Sequence, residues 1–297
     1  MGSFRYSGLM NFIDIEAGGY ALSLRPDLGG SIASFTWRGH DIMRRASGPG
    51  VLDSGCFALV PFSNRIAASR FTFAGREVVL SPNHPDAPGE PVLHGFGWLD
   101  FWSLAEAGRS HAVLVHDYAG GEWPWAYRAT ATFELGEAGL LAGLALENLG
   151  ADPMPAGLGF HPYFPLSPGT LYRGMHRGEW QVGADCLPRQ LAERTEPADW
   201  WDGQPVATRA VDTVYTGREG ELKIAWPTRG LRAVIEPSAD LSFTTVYVPP
   251  GENFFCVEPV SHATDAFNHP APANGMRVLE PGEAWTVSMR VRAEALC

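Results

Sequence analysis

The sequence predicts an all-β protein, a large antiparallel β-sandwich with few short helices. Glycine and proline supply 34 and 24 of the 297 residues, and they interrupt almost every stretch before a helix could form. Short segments of alternating apolar and polar residues lie between them, at a spacing of roughly 8–12 residues that is typical of sandwiches and barrels. No alternation of strands with helices occurs, so a parallel α/β sheet is not expected.

Eight segments have the two-residue period of a strand. In the last of them, Val287, Met289 and Val291 share one face. Turn residues such as Glu137–Gly139 separate the segments, and one short helix is predicted at Ala192–Asp199. The predicted strands are Tyr20–Arg25, His111–His116, Tyr127–Leu135, Leu140–Glu147, Leu222–Trp226, Leu231–Glu236, Thr244–Val248 and Ala284–Val291.

Composition predicts one domain over residues 1–297 that is 45% hydrophobic, without a linker or an internal repeat. The net charge of −11 argues against nucleic acid or an anionic membrane as partner, because both require a clustered positive surface. No run reaches the ~18 apolar residues of a membrane span, and Met1–Tyr6 lacks the apolar core of a signal peptide and the pattern for myristoylation. We therefore expect a cytoplasmic monomer or homodimer whose partner is a small molecule.

The cysteines and histidines lack the spacing of a metal site. Cys56, Cys186, Cys256 and Cys297 are far apart, which predicts reduced and mostly buried thiols. Neither HExxH nor H-x-H occurs, and no glycine-rich nucleotide loop is present. The sequence therefore predicts neither metal nor cofactor, although distant residues could still assemble a zinc site.

Two residues are the best candidates for acid–base chemistry. His161 lies in the aromatic run Gly159–Phe164 and is followed by Pro162, which favours an extended backbone at the histidine. Glu258 follows the apolar segment Phe254–Val257, where partial burial would raise its pKa into the range of a general base. A histidine packed in the core and a carboxylate at an exposed strand end are the alternatives.

Polar residues in three other segments are candidates for binding. Asn64 and Arg65 follow a buried run, and a guanidinium there requires either a carboxylate or the oxygens of a ligand. His94 lies in Leu93–Gly95, and Asp212 alternates with apolar neighbours. Aromatic faces near glycine and proline could stack on sugar rings or simply pack in the core; they are Phe96, Trp98, Trp123, Trp125, Trp200 and Trp201.

In this order, the segments resemble the aldose 1-epimerase (galactose mutarotase) family. The matching pieces are Pro61–Ile66, Leu93–Gly95, Gly159–Phe164, Val211-Asp212 and Val257–Pro259. The resemblance implies a β-sandwich with a cleft on one face, and interconversion of the α and β anomers of a free aldose without cofactor or metal. It also implies the following roles: Glu258 as base, His161 as acid, His94 and Arg65 at the C1 and ring-oxygen region, and Asp212 with Asn64 on sugar hydroxyls.

Departures from the family pattern leave the substrate open. Phe96 follows Gly95 where many members have a second glycine, and we expect it to narrow or reshape the pocket. One alternative is a phosphorylated or sulfonated hexose, which would need extra cations. Others are a carbohydrate-binding protein without catalysis and a hydrolase or lyase of polysaccharides. The candidate cations are Arg44, Arg45, Arg70, Arg173 and Arg177.

Overall fold

The computed structural model describes residues 12–269 and 274–296, so the predictions for Met1–Tyr6 and for Cys297 lie outside it. The described residues form 23 strands and six short 3-10 helices. The strands are β1 (Ile13–Ala17), β2 (Tyr20–Arg25), β3 (Ser31–Trp37), β4 (His40–Asp41), β5 (Ala58–Leu59), β6 (Arg70–Phe73), β7 (Arg76–Val79), β8 (Ser103–Ala107), β9 (His111–Tyr118), β10 (Tyr127–Gly136), β11 (Gly139–Asn148), β12 (Met154–Ala156), β13 (Gly159–Phe160), β14 (Tyr163–Pro165), β15 (Leu171–Val182), β16 (Pro188–Asp199), β17 (Val211–Thr216), β18 (Glu219–Trp226), β19 (Leu231–Pro237), β20 (Phe243–Val248), β21 (Phe254–Val260), β22 (Arg277–Leu279) and β23 (Ala284–Ala295). The 3-10 helices are Val51–Asp53, Ala67–Ser69, Gly97–Leu99, Val206–Thr208, Pro227–Arg229 and Ala266–Asn268.

One antiparallel sheet of 15 strands organises the molecule. Its path runs β5-β13-β21-β20-β17-β15-β18-β19-β23-β11-β10-β9-β8, with β14 paired to β21 and β16 paired to β15. A four-stranded sheet, β1 to β4, and the pairs β12-β22 and β6-β7 complete the architecture. The fold is therefore the antiparallel β-sandwich that the sequence predicts.

All eight predicted strands are confirmed, and the predicted helix is wrong. Ala192–Asp199 belongs to β16, which pairs with β15 in a long hairpin. Local propensity favours a helix there because of its alanine and glutamate residues, but Pro197 would break one. Hydrogen bonds to β15 then decide the conformation, and no pattern within the segment reveals that partner.

The core fills the space between the sheets. On β10, the alternate residues Tyr127, Ala129, Ala131, Phe133 and Leu135 are buried, as a strand with one inward face requires. Each large apolar side chain contributes about 1.5–3 kcal/mol by burial. A smaller second cluster, which includes Phe57, Trp98, Tyr163 and Cys256, lies apart from this main core. In the described part of the chain, no helix is long and apolar enough to span a membrane.

Candidate active site

The register of three neighbouring strands gathers polar side chains on one face of the main sheet. On β17 and β20, Asp212 is paired with Tyr247 and Val214 with Thr245. On β20 and β21, Thr245 is paired with Glu258. Directly paired residues project to the same face, and alternate residues of one strand do so as well. Asp212, Thr245, Tyr247 and Glu258 therefore share a face.

A pocket of about 250 Å³ opens over this face. Pockets for drug-sized ligands usually measure about 300–1,000 Å³, so this one suits a single sugar ring better than a chain of them. All six predicted site residues line it: Asn64, Arg65, His94, His161, Asp212 and Glu258. The other lining residues are Leu52, His84, Leu93, Tyr163, Thr245, Tyr247 and Phe254.

His161 and Glu258 meet at the floor of the pocket. The Nε2 atom of His161 lies 3.3 Å from Oε1 of Glu258, and their side chains are 8% and 2% exposed. Within the described residues, Nδ1 of His161 and Oε2 of Glu258 are buried without a hydrogen-bond partner. Most buried polar atoms in folded proteins have a hydrogen-bond partner, and a catalytic role is one explanation for those that do not. The pair therefore retains hydrogen-bonding capacity that the fold does not use.

Burial sets the protonation of this pair. Desolvation raises the pKa of Glu258 well above its usual range, the charge of Asp212 adds to this effect, and Arg65 opposes it. Desolvation also lowers the pKa of His161 to about 3, helped by the charge of Arg44. The raised pKa of Glu258 agrees with the sequence-based expectation. The lowered pKa of His161 favours the neutral imidazole, so its predicted role as an acid requires a proton from a neighbouring group.

His94 is held by reciprocal hydrogen bonds with Asn64. The Asn64 N–H donates to Nδ1 of His94 at 3.0 Å, and the His94 N–H donates to the Asn64 carbonyl at 3.0 Å. Burial lowers the pKa of His94 well below its usual value, so the ring is neutral. Because Nδ1 accepts, Nε2 carries the proton. His94 therefore offers the pocket an N–H donor.

Unusual backbone geometry positions these two residues. Asn64 and His94 have φ values of 60° and 59°, in the left-handed region that few side chains adopt. Gly95 follows with φ of 70°, and a Cβ there would lie 2.3 Å from the carbonyl oxygen of Val60. Only glycine fits this position, which explains the Leu-His-Gly segment.

Arg65, which also lines the pocket, forms ion pairs with two carboxylates. Its Nη1 donates to Oδ2 of Asp212 at 3.1 Å, and its Nε lies 3.7 Å from Oε2 of Glu90. The Asn64 side-chain oxygen accepts from the Arg65 backbone N–H at 2.8 Å. Carboxylates therefore already compensate the charge of the guanidinium.

The aromatic residues noted in the sequence lie mostly in the core. Trp98 and Trp123 are fully buried, Trp125 and Trp201 nearly so. Phe96 stacks on Tyr118, with ring centroids 4.9 Å apart, and does not line the pocket. Phe96 therefore does not narrow the pocket directly, because its ring turns away toward β9, and the expectation that it reshapes the pocket stays a prediction.

The aromatic wall of the pocket consists of Tyr163, Tyr247 and Phe254. Sequence reasoning missed the last two as site residues. Phe254 could have been found from its spacing of four residues before Glu258, which puts both on one face of a strand. Tyr247 required the register between β20 and β21, and nothing in the sequence indicates that His84 and Leu52 line the pocket.

One set of donor atoms could hold a metal. Donor atoms of His161, Cys256 and Glu258 lie within 4.8 Å of one another. Burial raises the pKa of the Cys256 thiol well above its usual value, so a metal would have to displace a tightly held proton. The expected absence of a metal stays a prediction. Cys56 and Cys256 are buried free thiols, as predicted, and Cys186 is partly exposed.

Comparison with known proteins agrees with this fold. Residues 12–292 match the aldose 1-epimerase family, so the chain belongs to that family. YphB of Escherichia coli K12, an uncharacterised protein, is 35% identical over 282 residues, which cover 91% of this chain and 94% of YphB.

Solved structures share the architecture. A crystal structure of a candidate aldose 1-epimerase from Escherichia coli K12 has a TM-score of 0.86 at 31% identity, covering 97% of this chain and all of the other. A galactose mutarotase-like protein from Clostridium acetobutylicum has a TM-score of 0.84 at 18% identity, covering 97% and 96% of the two chains. The second likeness concerns the fold alone.

Proposed function

We propose that this protein is an aldose 1-epimerase that interconverts the α and β anomers of a free, uncharged aldose. The observation that carries the proposal is the contact of 3.3 Å between His161 Nε2 and Glu258 Oε1 at the floor of a pocket sized for one sugar ring. Opening a cyclic hemiacetal requires one group to remove the proton of the C1 hydroxyl and another to protonate the ring oxygen. Both oxygens are bonded to C1, so the two groups must lie close together.

The protonation of the pair suits this reaction. The raised pKa of Glu258 favours its protonated form, and the lowered pKa of His161 favours the neutral imidazole. Transfer of that proton to His161 gives a carboxylate and an imidazolium. The carboxylate takes the proton of the C1 hydroxyl, the imidazolium protonates the ring oxygen, the C1–ring oxygen bond breaks, and the aldehyde forms. Rotation about the C1–C2 bond and the reverse steps give the other anomer, and the proton count is unchanged.

The remaining polar groups fit substrate positioning. The Nε2–H of His94 supplies a hydrogen bond to an oxygen at C1 or in the ring, which polarises the bond that breaks. Asp212 and Arg65 present an acceptor and a donor for sugar hydroxyls, and Asn64 holds Arg65 and His94 in place. No covalent intermediate and no cofactor is needed for this chemistry.

An uncharged substrate fits the electrostatics. Among the pocket-lining residues in the described ranges, Arg65 is the single arginine, and Asp212 pairs with it. A phosphate or sulfonate group would need unpaired cations. The other candidate arginines lie outside the pocket lining, and Arg45, Arg70 and Arg177 form ion pairs with Asp41, Glu77 and Glu219.

Exchange between anomers tests the proposal directly. Two-dimensional exchange NMR or polarimetry with glucose, galactose, xylose and arabinose should show catalysis for at least one of them. Glu258→Gln should lower that rate by about 10²–10⁴-fold, while its circular dichroism matches that of the wild type. An unchanged rate in Glu258→Gln would remove this residue as the base.

The alternatives give different results in the same experiment. Faster exchange of hexose 6-phosphates or sulfonated hexoses than of neutral sugars would indicate the anionic substrate class. Saturable sugar binding without faster exchange would indicate a carbohydrate-binding protein. Release of reducing ends from a polysaccharide would indicate a hydrolase or lyase.

A further inference from the structure

His161 lies within a continuous stack of flat side chains. Its ring stacks on Tyr163 at 4.7 Å and 26° and on Phe57 at 4.6 Å and 28°, and the Phe57 and Tyr163 rings are 6.1 Å apart. Phe57 stacks in turn on Trp98 at 5.5 Å and 29°. Because two aromatic rings pack against the imidazole, it cannot tilt toward either of them without displacing that neighbour. The orientation of the imidazole therefore depends on the position of Tyr163.

Arg44 closes this stack behind Tyr163. The guanidinium carbon lies 4.0 Å from the centroid of the Tyr163 ring and 4.5 Å from that of Phe254. Its Nε and Nη2 donate to the carbonyl of Ser54 at 3.2 and 2.6 Å, and Nη2 also donates to the carbonyl of Leu52. Arg44 thus contacts three residues of the pocket wall, Leu52, Tyr163 and Phe254, without lining the pocket itself.

The charge of Arg44 lacks a direct counterion. No carboxylate in residues 12–269 or 274–296 lies within 4.0 Å of its nitrogens. Burial lowers the pKa of Arg44, and the charges of Asp53 and Glu252 partly oppose this effect from farther away. The side chain is therefore a partly buried cation, one aromatic ring away from His161. A structural tether would not need this charge, because a neutral donor could satisfy the same carbonyls.

We propose that Arg44 is a positioning residue for His161. Through Tyr163 it holds the imidazole in the plane in which Nε2 faces Glu258, and its fixed positive charge opposes a second proton on the pair. The lowered pKa of His161, to which Arg44 contributes after burial, agrees with this role. For its kinetic test the proposal rests on the proposed function. The titratable or charged groups around His161 are Arg44, Cys56, His94, Tyr163, Cys256 and Glu258.

The test compares Arg44→Met with Arg44→Lys in the dependence of kcat on pH. Arg44→Met removes a positive charge, which makes the pair of His161 and Glu258 easier to protonate. The acidic and the basic limb of the pH profile of kcat should therefore both move to higher pH by about one unit. Release of Tyr163 should also lower kcat by about tenfold, with little change in KM. Arg44→Lys keeps the charge but loses the planar fork, so its limbs should stay near those of the wild type while kcat falls.

Arg218 provides a matched control. It is another partly buried arginine whose Nη1 and Nη2 donate to backbone carbonyls, of Gly220 at 2.7 Å and of Leu241 at 3.0 Å. It lies near His176 instead of His161. Arg218→Met should therefore leave both limbs unchanged. Limbs that stay in place in Arg44→Met, or that move equally in both control and test variants, would overturn the proposal.

A second readout does not depend on activity. Nitrogen-15 NMR of labelled histidine follows the titration of His161 in the free protein, with His161→Asn to assign the signal. Arg44→Met should raise its apparent pKa by about one unit, and Arg44→Lys should not. This result stands even when no sugar is turned over, so failure of the proposed function and failure of the role of Arg44 are distinguishable. A His161 titration that is the same in all variants would contradict the proposal.

Discussion

Two buried histidines, His161 and His262, differ in how the fold uses their ring nitrogens. Both are almost inaccessible, and burial lowers the pKa of His161 to about 3 and that of His262 to about 4. His262 accepts at Nε2 from the Ser63 N–H at 2.9 Å, and its Nδ1 lies 2.7 Å from the carbonyl of Ala263. His161 faces Glu258 on one edge and has no partner on the other among the described residues.

This difference separates a structural histidine from a candidate catalytic one. Burial and a shifted pKa are common to both, so neither property identifies a site. What distinguishes His161 is the unused hydrogen-bonding capacity beside a cavity, next to a carboxyl group in the same condition. A buried polar group without a partner reduces stability, and a function for the group is one explanation for its presence.

The largest expected effect is on activity. His161→Asn should lower the rate of anomer exchange by about 10²–10⁴-fold, because it removes the ring that we propose as the acid. His262→Asn should change the rate per folded molecule by less than about threefold, since His262 does not line the pocket. Exchange NMR on equal amounts of folded protein measures both rates, and comparable losses in the two variants would remove the distinction.

The second effect is on stability, where we expect His262→Asn to be the more damaging of the two variants. His262→Asn should lower the free energy of unfolding by about 3 kcal/mol at neutral pH, because it disrupts two buried hydrogen bonds and the packing around the ring. His161→Asn should lower it by less than His262→Asn does, since it loses the packing of the ring on Phe57 and Tyr163 but no hydrogen bond that holds another element in place. Urea unfolding followed by tryptophan fluorescence measures both. Greater destabilisation by His161→Asn would contradict this view.

The pH dependence sharpens the same comparison. The pKa of His262 is about 4 in the folded protein and 6.5 in the reference state. The unfolded chain therefore binds the proton first, and the stability contributed above pH 6.5 is lost as the pH falls toward 4. The loss amounts to about 3 kcal/mol. The difference in the free energy of unfolding between wild type and His262→Asn should therefore decrease as the pH falls from 6.5 to 4. A difference that does not change with pH would argue against the lowered pKa of His262.

The smallest effect concerns the backbone at Asn64. Its φ of 60° is accessible to glycine and asparagine but strained for alanine. Asn64→Ala should be about 1 kcal/mol less stable than Asn64→Gly, although both remove the same side-chain contacts with Arg65. Thermal unfolding of the two variants measures the difference. Equal stability would show that the chain relaxes at this position.

Much of this site follows from the sequence because its residues lie in short, distinctive segments. His161, Glu258, His94, Arg65, Asn64 and Asp212 were all predicted, and the structure gathers them in one pocket. The order of their segments indicates the family, and the family resemblance implies their roles. The alternation of apolar and polar residues predicts the fold class. Short motifs and strand alternation are local features of the sequence, so they can be read without knowing which strands pair.

The remaining features depend on contacts between distant segments. Tyr247 and Thr245 reach the pocket through the register of β20 with β21, and β16 forms a strand because β15 pairs with it. The protonation of His161 and Glu258 follows from how completely the surrounding strands bury them. Arg44 was noted only as a possible anion-binding residue, whereas its contacts place it behind Tyr163. These contacts join segments that are far apart in the sequence, so no periodic pattern of residues indicates them.

The origin of the lining residues has an evolutionary consequence. Glu258, Thr245 and Asp212 belong to strands of the main sheet, whereas Leu52 lies in a 3-10 helix and His84 in a segment without regular structure. Loops tolerate substitution and insertion far better than hydrogen-bonded strands do. If the proposed function holds, substitutions around Leu52 and His84 can therefore change which sugar is accepted while the residues on the main sheet stay the same. Grafting the segments around Leu52 and His84 between relatives should then transfer substrate preference separately from catalytic rate.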